Sequence, residues 1–184
     1  MNAIEAGTLV FLDETSTKTT MTRSRGRAPR GERVVGVVPR NHGPNVTCLV
    51  ALGPMGMCAP CVFEDALTSA LFVRWVREWL VPTLAPGTTV VLDNLNVHKN
   101  PAVRIAIEAA GCHLCYLPSY SPDFNSIELA FATLKTHLRG VAARAFAPLL
   151  VAIGGGLAAI TPADIAGYYT HCGFPLTAPS EQPS

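Results

Sequence analysis

The chain has 184 residues, of which 49% are hydrophobic and 15% are charged, and this composition excludes a wholly disordered or low-complexity protein. A length of this order predicts one globular domain, expected over residues 1–176, followed by a disordered Pro/Ser-rich tail at 177–184. The formal net charge is only +1, from 14 Lys and Arg against 13 Asp and Glu, which by itself argues against a nucleic-acid partner.

Two further features concern the cellular compartment. The N-terminus lacks the basic region and the long apolar run of a signal peptide, which predicts a cytoplasmic protein whose six cysteines are reduced. The most apolar stretch, residues 145–160, is too short to cross a bilayer and predicts a core helix or a pair of helices. We therefore expect no association with a membrane.

The first third of the chain is rich in predicted strands. Short apolar runs with many β-branched residues predict strands over 8–12, 33–39 and 46–52. The first strand is apolar on both faces, and Asp13 and Glu14 follow it. The turn-forming residues Asn41, Gly43 and Pro44 separate the second strand from the third.

Helices and strands alternate over the rest of the chain. Apolar spacing and turn signals predict, in order, a helix at 67–84, a strand at 88–92, a helix at 101–110, a strand at 113–117, a helix at 126–139 and further helix to about 172. Three strands followed by such alternation predict an α/β fold, with a mixed five-stranded sheet flanked by helices.

Three acidic residues are placed where such a fold would form a site. Asp13 and Asp93 each follow a buried strand, and Glu128 lies in the first turn of a helix. Carboxylates at strand ends and on a neighbouring helix can converge, because ligand sites in open α/β sheets gather there. Converging carboxylates suit Mg²⁺, and two such ions about 4 Å apart can promote phosphodiester cleavage.

Each acid also has a structural interpretation. Asp93 is of a type that commonly starts a turn, and Glu128 follows Asn125 by three residues, as in a capping box at a helix N-terminus. Glu14 is a rival to Asp13, because alternation cannot separate them in a strand that is apolar on both faces. Spacing alone leaves these alternatives open.

Three sequence blocks resemble the signatures of DDE transposases, and most closely the bacterial insertion-sequence branch of the mariner superfamily. The blocks are FLDET at 11–15, VVLDNLNVHK at 90–99 and LPSYSPDFNSIELAFATLK at 117–135. The 34 residues between Asp93 and Glu128 match the spacing of that branch. The resemblance runs from about residue 9 to 139 and continues weakly to 174. Ser126 departs from it, since most relatives have Pro there, and this change is expected to loosen the start of the helix.

The resemblance implies a ribonuclease-H-like fold in which Asp13, Asp93 and Glu128 hold two divalent ions, Mg²⁺ or Mn²⁺. It implies cleavage of DNA at transposon ends, then attack of the freed 3′-hydroxyl on target DNA by a homo-oligomer assembled on DNA. In a cell this would place the chain at the nucleoid. The helix-turn-helix region that recognises transposon ends in the family has no counterpart in this sequence, and we expect it to be encoded separately or to have been removed.

Charge is distributed unevenly along the chain. Residues 18–40, which we call the basic segment, carry a balance of +6, and the remainder of the chain carries −5. The segment lacks apolar periodicity, which predicts an exposed loop or hairpin whose guanidinium groups contact DNA phosphates, although a solvated basic loop is the alternative. The predicted DNA-binding residues are Arg23, Arg25, Arg27, Arg30 and Arg33, with His98, Lys99 and Lys135 as weaker candidates. For His98 the alternatives are support of the metal site and a structural role.

Two CxxC pairs, at 58–61 and 112–115, are separated by 50 residues. That spacing is too long for a compact zinc ribbon, and we expect no zinc. Two other functions fit the same residues: an inactive DNA-binding remnant of a decayed transposon, and a host nuclease of the same fold.

Overall fold

The structure of the chain, a computed structural model, describes residues 5–40 and 43–176. Asn41 of the predicted turn and the predicted tail at 177–184 lie outside the described residues. No single helix in the described part is long and apolar enough to span a membrane. Only two consecutive helices taken together, Phe146–Ala158 and Pro162–His171, reach that length and composition, and they meet at a bend of 77°.

One mixed sheet of five strands lies at the centre of the fold. The strands are β1 (Leu9–Lys18), β2 (Asn45–Gly53), β3 (Gly56–Glu64), β4 (Thr89–Leu92) and β5 (His113–Tyr116). Their order across the sheet is β3-β2-β1-β4-β5. The pairs β3-β2 and β2-β1 are antiparallel, whereas β1-β4 and β4-β5 are parallel. The predicted mixed five-stranded sheet is therefore confirmed.

Helices cover both faces of the sheet. They are α1 (Ser69–Trp75), which continues through a π turn at Val76–Leu80, then α2 (Pro101–Ala109), α3 (Ser126–Val141), α4 (Phe146–Ala158) and α5 (Pro162–His171). Alternate residues of β1 face opposite layers, as the period of a strand requires. Phe11 lies in the core beneath α3, α4 and α5, and Leu12 lies in the core beneath α1 and α2.

The predicted strand at 33–39 is wrong. These residues form no strand, and the side chains of Val35 and Val37 are 87% and 94% exposed. A run of valines forms a strand only when it pairs with a neighbour, and in the described sheet β3 takes the place beside β2. Strand β3 was missed because Pro60 interrupts its apolar pattern, and an edge strand tolerates a proline there.

Strand β1 is longer than predicted, and this changes the position of Asp13. The strand runs to Lys18 instead of ending at Leu12, so Asp13 lies inside β1 and does not terminate it. Strand β4 pairs with β1 only as far as Leu12, whereas β2 pairs with it up to Lys18. Asp13 is thus the first residue of β1 beyond the end of β4, and so still lies at the edge where β4 stops.

The helices agree more closely with the sequence. Asn100 caps α2 by accepting a hydrogen bond from the Ala102 amide at 3.0 Å, and Pro101 takes its first position. Gly111 follows with a φ of +71°, a conformation that favours glycine. The apolar stretch at 145–160 forms α4, a helix packed beneath the sheet.

Tyr169 ties α5 to the sheet, and its hydroxyl gives a test of this packing. The buried hydroxyl lies 2.8 Å from the Leu9 carbonyl and 3.1 Å from the Leu52 carbonyl. We expect Tyr169→Phe to lower the free energy of unfolding by about 1–2 kcal/mol, because it removes a buried hydrogen-bond donor. Denaturant unfolding measures this loss. Tyr168→Phe is the matched control, since among the described residues its hydroxyl bonds only to the exposed Thr133 hydroxyl, and a loss as large as that of Tyr169→Phe would contradict the expectation.

Candidate active site

Asp13, Asp93 and Glu128 line one open pocket of about 350 Å³ where β4 ends. Asn94, Asn125 and the loop at 117–122 complete its wall. None of the described residues that line the pocket carries a positive charge. The fold thus brings together the three carboxylates that the sequence singles out.

Asp13 is the buried member of the group, with only 6% of the residue exposed. The Asn125 side-chain amide donates a hydrogen bond to its Oδ2 at 2.8 Å, and the Glu14 backbone amide donates to its Oδ1 at 2.8 Å. Burial, together with the negative charges of Glu14, Asp93 and Glu128, raises the pKa of Asp13 to about 7. A positive charge in the pocket would relieve this repulsion.

Asp93 is held by the loop that follows β4. Its Oδ1 lies 2.6 Å from Nδ1 of His98 and accepts a hydrogen bond from the Leu95 amide at 3.1 Å. Partial burial opposes ionisation, but these hydrogen bonds and the nearby charges of His98 and Lys99 lower the pKa of Asp93. Asp93 is therefore a stable anion whose carboxylate has a fixed orientation.

His98 joins two carboxylates and is fully buried. Its Nε2 lies 2.9 Å from Oε2 of Glu14, and its ring centroid is 4.6 Å from that of Phe72. Burial alone would lower the pKa of His98, but its bonds to Asp93 and Glu14 raise it to about 9. The prediction that His98 contacts DNA is wrong, because a side chain with no exposed surface cannot reach DNA.

The rivalry between Asp13 and Glu14 is resolved by the alternation of β1. Asp13 shares the face of Phe11 and points towards Asn125 at the start of α3, whereas Glu14 lies on the other face and contacts His98. Sequence could not separate them, because which face of β1 meets the site depends on the helix that packs there.

The capping-box interpretation of Glu128 is not supported by the structure. Asn125 precedes α3 but makes no capping hydrogen bond with its side chain, which reaches Asp13 instead. Glu128 is exposed at the pocket and makes no side-chain hydrogen bond to the described residues. Its carboxylate is therefore available to a ligand. Ser126, the first residue of α3, is buried, and its hydroxyl has no hydrogen-bond partner among residues 5–40 and 43–176.

The pocket fits a hard divalent cation by its donor set. Its carboxylate oxygens are the ligands that Mg²⁺ and Mn²⁺ prefer, and the pKa of Asp13 is raised first by burial and then by the negative charges around it. As the side chains stand, no three His, Cys, Asp or Glu residues in the described part lie close enough together to hold one ion. Binding would require side-chain movement, and Glu128 is the exposed side chain of the three carboxylates.

Variants of His98 test whether it positions Asp93. His98→Gln can keep the contact with Glu14 but loses the one with Asp93, whereas His98→Asn places its amide near the former Nδ1 and keeps the latter. The resemblance implies that Asp93 holds a metal ion in DNA cleavage, and loss of a partner of a metal ligand usually costs about 10–100-fold in activity. We therefore expect a loss of this size in metal-dependent cleavage for His98→Gln and a smaller one for His98→Asn. Initial cleavage rates over a metal titration measure this. Equal rates for both variants would contradict a role through Asp93.

The predicted DNA-binding cations lie in three places. Arg27, Arg30 and Arg33 are exposed on the basic segment, and Lys99 is exposed beside Asp93. Arg23 and Arg25 lie against the last turns of α3, the helix that also carries the half-buried Lys135. Phosphate contact by all of these residues stays a prediction.

The two CxxC pairs lie at opposite edges of the sheet. Cys58 and Cys61 belong to β3, and Cys112 and Cys115 lie at β5, with three strands between them. Four strand spacings of about 4.8 Å put the pairs roughly 19 Å apart, so they cannot share one ion.

Sequence reasoning missed two contributors to the site. Asn125 resembles a helix cap in sequence but supports Asp13, and the Asn94 amide donates to the Ser119 hydroxyl at 3.0 Å, which links the loop after β4 to the loop after β5. The signal for both was present, because each asparagine lies next to a candidate acid or within three residues of one.

The chain matches a protein family over most of its length. The family described as DDE superfamily endonuclease matches residues 8–147. A sequence comparison with curated proteins gives no match. Among solved structures, the chain is similar to the Mos1 strand transfer complex, with a TM-score of 0.70 and 15% identity over 91% of this chain and 52% of that one.

Two further structures extend the comparison. The Mos1 mariner paired end complex with Mn has a TM-score of 0.68 at 14% identity, over 91% of this chain and 53% of that one. The catalytic domain of Mos1 mariner transposase has a TM-score of 0.61 at 13% identity, over 91% of this chain and 76% of that one. The expected ribonuclease-H-like fold is confirmed by these matches. This chain spans about half the length of the longer transposase chains.

Proposed function

The chain belongs to the DDE superfamily of endonucleases, and from this premise we propose that it is the catalytic domain of a transposase. It cleaves DNA at transposon ends with the help of divalent ions and joins the freed 3′-hydroxyl to target DNA. The observation that carries the proposal is the meeting of Asp13, Asp93 and Glu128 in one pocket.

The three carboxylates are held in different ways. Asp93 is held as an anion by His98, and Asp13 is fixed by Asn125 and by the Glu14 amide. Glu128, exposed on the first turn of α3, completes the ligand set from the side of the incoming DNA. These residues would hold Mg²⁺ or Mn²⁺, in keeping with the Mos1 paired end complexes that are described with Mn and with Mg.

Two divalent ions held there would supply the positive charge that activates a water or a 3′-hydroxyl for attack and stabilises the leaving oxygen. The chain itself fixes the direction in which two of the carboxylates point, because His98 holds Asp93 and Asn125 holds Asp13. The open side of the pocket at Glu128 lets a phosphodiester approach.

DNA is the proposed partner, as transposon end and as target. The Mos1 structures are described as transpososomes and paired-end complexes, and we extend from them the proposal that this chain acts as a homo-oligomer on DNA. Recognition of the transposon ends would come from a separate helix-turn-helix region.

Cleavage of DNA tests the proposed function. A supercoiled plasmid that carries the genomic sequence flanking the coding region is incubated with the protein and Mg²⁺ or Mn²⁺, with EDTA and Asp93→Asn as controls. We expect metal-dependent nicking that leaves 3′-hydroxyl ends and is lost in Asp93→Asn. Equal cutting by both proteins would remove the assignment. A preference for branched DNA would indicate a host nuclease, and metal-independent binding without cutting would indicate a remnant.

A further inference from the structure

A second concave surface, which we call the arginine cleft, lies where the basic segment meets the last turns of α3. Its volume is about 350 Å³, and it shares no lining residue with the carboxylate pocket. The lining residues are Arg23, Ser24 and Arg25 of the basic segment, and Thr136, Arg139 and Gly140 of α3. The sequence pattern gave no role to Arg139.

The cleft holds three guanidinium groups with no acid to balance them. Within the described ranges no carboxylate lies within 4.0 Å of Arg23, Arg25 or Arg139, whereas Arg74 and Arg104 are each paired with a glutamate at 2.9 Å. Gathering three cations without a counterion costs free energy, and a bound anion would recover it. The planar fork of arginine suits the paired oxygens of a phosphate.

The arginines of the basic segment are held at the cleft by their surroundings. Arg144, just after α3, donates from one Nη1 to the Thr19 carbonyl at 3.0 Å and to the Met21 carbonyl at 2.9 Å. Met21 also packs against the core beneath α3. The start of the segment is thus anchored beside α3, and Arg23 reaches the surface next to Gly140.

Helix α3 connects the cleft to the carboxylate pocket. Glu128, Ala132, Lys135 and Arg139 follow one another at offsets of four, three and four residues, so they lie along one face of the helix. Eleven residues at about 1.5 Å each place Arg139 roughly 16 Å along the axis from Glu128. On a duplex lying parallel to α3, that distance spans about five base pairs at 3.4 Å per pair.

We propose that the arginine cleft binds a backbone phosphate of the DNA whose scissile phosphate lies in the carboxylate pocket, about five base pairs away. The inference rests on the proposed function for the location of the scissile phosphate. The cleft itself recognises a phosphodiester by charge and fork geometry, without reading sequence.

Salt dependence of binding tests the cleft without any cleavage. Anisotropy of a labelled duplex of arbitrary sequence is measured in EDTA over a range of salt, for wild type, for a chain with both Arg23→Gln and Arg139→Gln, and for Arg104→Gln as a charge-matched control. Since each phosphate contact contributes about 0.9 to the salt slope, we expect the double variant to lower the slope by about 1 and Arg104→Gln to leave it unchanged. A double variant with the wild-type slope would overturn the proposal.

Gly140→Asp tests the same cleft with every arginine in place. A Cβ at Gly140 would have Arg23 Nη2, at 4.0 Å, as its nearest neighbour, so the added carboxylate fits and can occupy the cleft as an internal competitor. We expect it to lower the slope as the double variant does. The double variant and Gly140→Asp must each keep the wild-type melting temperature within a few degrees. If they do not, Arg23→Gln alone, on an exposed loop, replaces them as the test. An unchanged salt slope in that variant would overturn the proposal.

Two further arms separate the sources of phosphate and the two proposals. Inorganic phosphate can raise the melting temperature of wild type but not of Gly140→Asp, while the two proteins have the same salt slope of DNA binding. In that case the cleft binds free phosphate and the DNA proposal is wrong. On DNA that the protein cuts, ethylation of a single phosphate four to six nucleotides from the cleaved bond should interfere with binding of the wild type. This interference should be lost in Arg139→Gln, and interference at any other position overturns the spacing. Lowered slopes without cutting by wild type would refute the proposed function and leave the cleft as a DNA contact.

Discussion

Glu128→Gln is expected to cut DNA at least about a thousand-fold more slowly than wild type in Mg²⁺ or Mn²⁺. In the proposed function the exposed carboxylate of Glu128 is the metal ligand from α3, and the Gln amide has the same shape without the negative charge that a divalent cation prefers. A thousand-fold loss corresponds to about 4 kcal/mol of transition-state stabilisation. Initial rates of plasmid nicking at saturating metal measure it.

Asp123→Asn is the matched control for this loss. Asp123 is an exposed acid in the loop just before α3, yet it does not line the carboxylate pocket. We expect it to cut at nearly the wild-type rate. Similar losses in both variants would show that any acid near α3 affects cutting, and would contradict a specific role for Glu128.

Asp13→Asn is expected to make the metal-free protein more stable at pH 8. The unfolded chain ionises Asp13 near its ordinary pKa of 3.8, while the folded chain retains the proton to about pH 7. The unfolded state therefore binds fewer protons between these values, so Asp13 makes stability fall as pH rises through this window and remain low above it. Each unit of pKa shift is worth about 1.4 kcal/mol.

The net gain for Asp13→Asn should be about 1–3 kcal/mol, because the new amide must give up one of the two hydrogen bonds to the Asp13 carboxylate. Asp93→Asn should instead lower stability, since the pKa of Asp93 is lowered in the folded chain and its ionised form is the favoured one. Denaturant unfolding at pH 8 in EDTA compares the two. Destabilisation by Asp13→Asn of the size seen for Asp93→Asn would contradict the account.

Three of the five strands could be predicted closely from sequence because their signals are local. The runs at 46–52, 88–92 and 113–117 are short, apolar and bounded by turns, and they form β2, β4 and β5 within a residue or so of each end. The helix that bears Glu128 follows one apolar face and was equally clear. Local patterns therefore placed most of the elements that surround the pocket.

Errors arose where pairing decides the outcome. The predicted strand at 33–39 and the missed strand β3 offset each other, so the count of five strands was right although one of its members was wrong. The valine-rich residues at 33–39 pair with no strand and stay exposed, whereas β3 forms despite Pro60 because an edge strand tolerates a proline. Sequence propensity cannot tell which segment obtains the place beside β2.

The supports of the carboxylates were also beyond the sequence. Glu14 and His98 lie 84 positions apart along the chain, yet their side chains meet at 2.9 Å. Asn125 reaches Asp13 across an even longer separation and so loses its apparent capping role. These contacts depend on how β1, β4 and α3 pack against one another, which no local pattern specifies.

The most direct test of the shared metal site replaces Mg²⁺ with Fe²⁺ and lets locally generated hydroxyl radicals cut the protein backbone. Three groups of cuts are expected, near Asp13, Asp93 and Glu128, and all should disappear together when Mg²⁺ is added in excess or when Asp93→Asn is used. Mass spectrometry of the fragments reads out the positions. Cuts confined to one of the three segments, or clustered at Cys58 and Cys61, would contradict the claim that the three carboxylates act as one site.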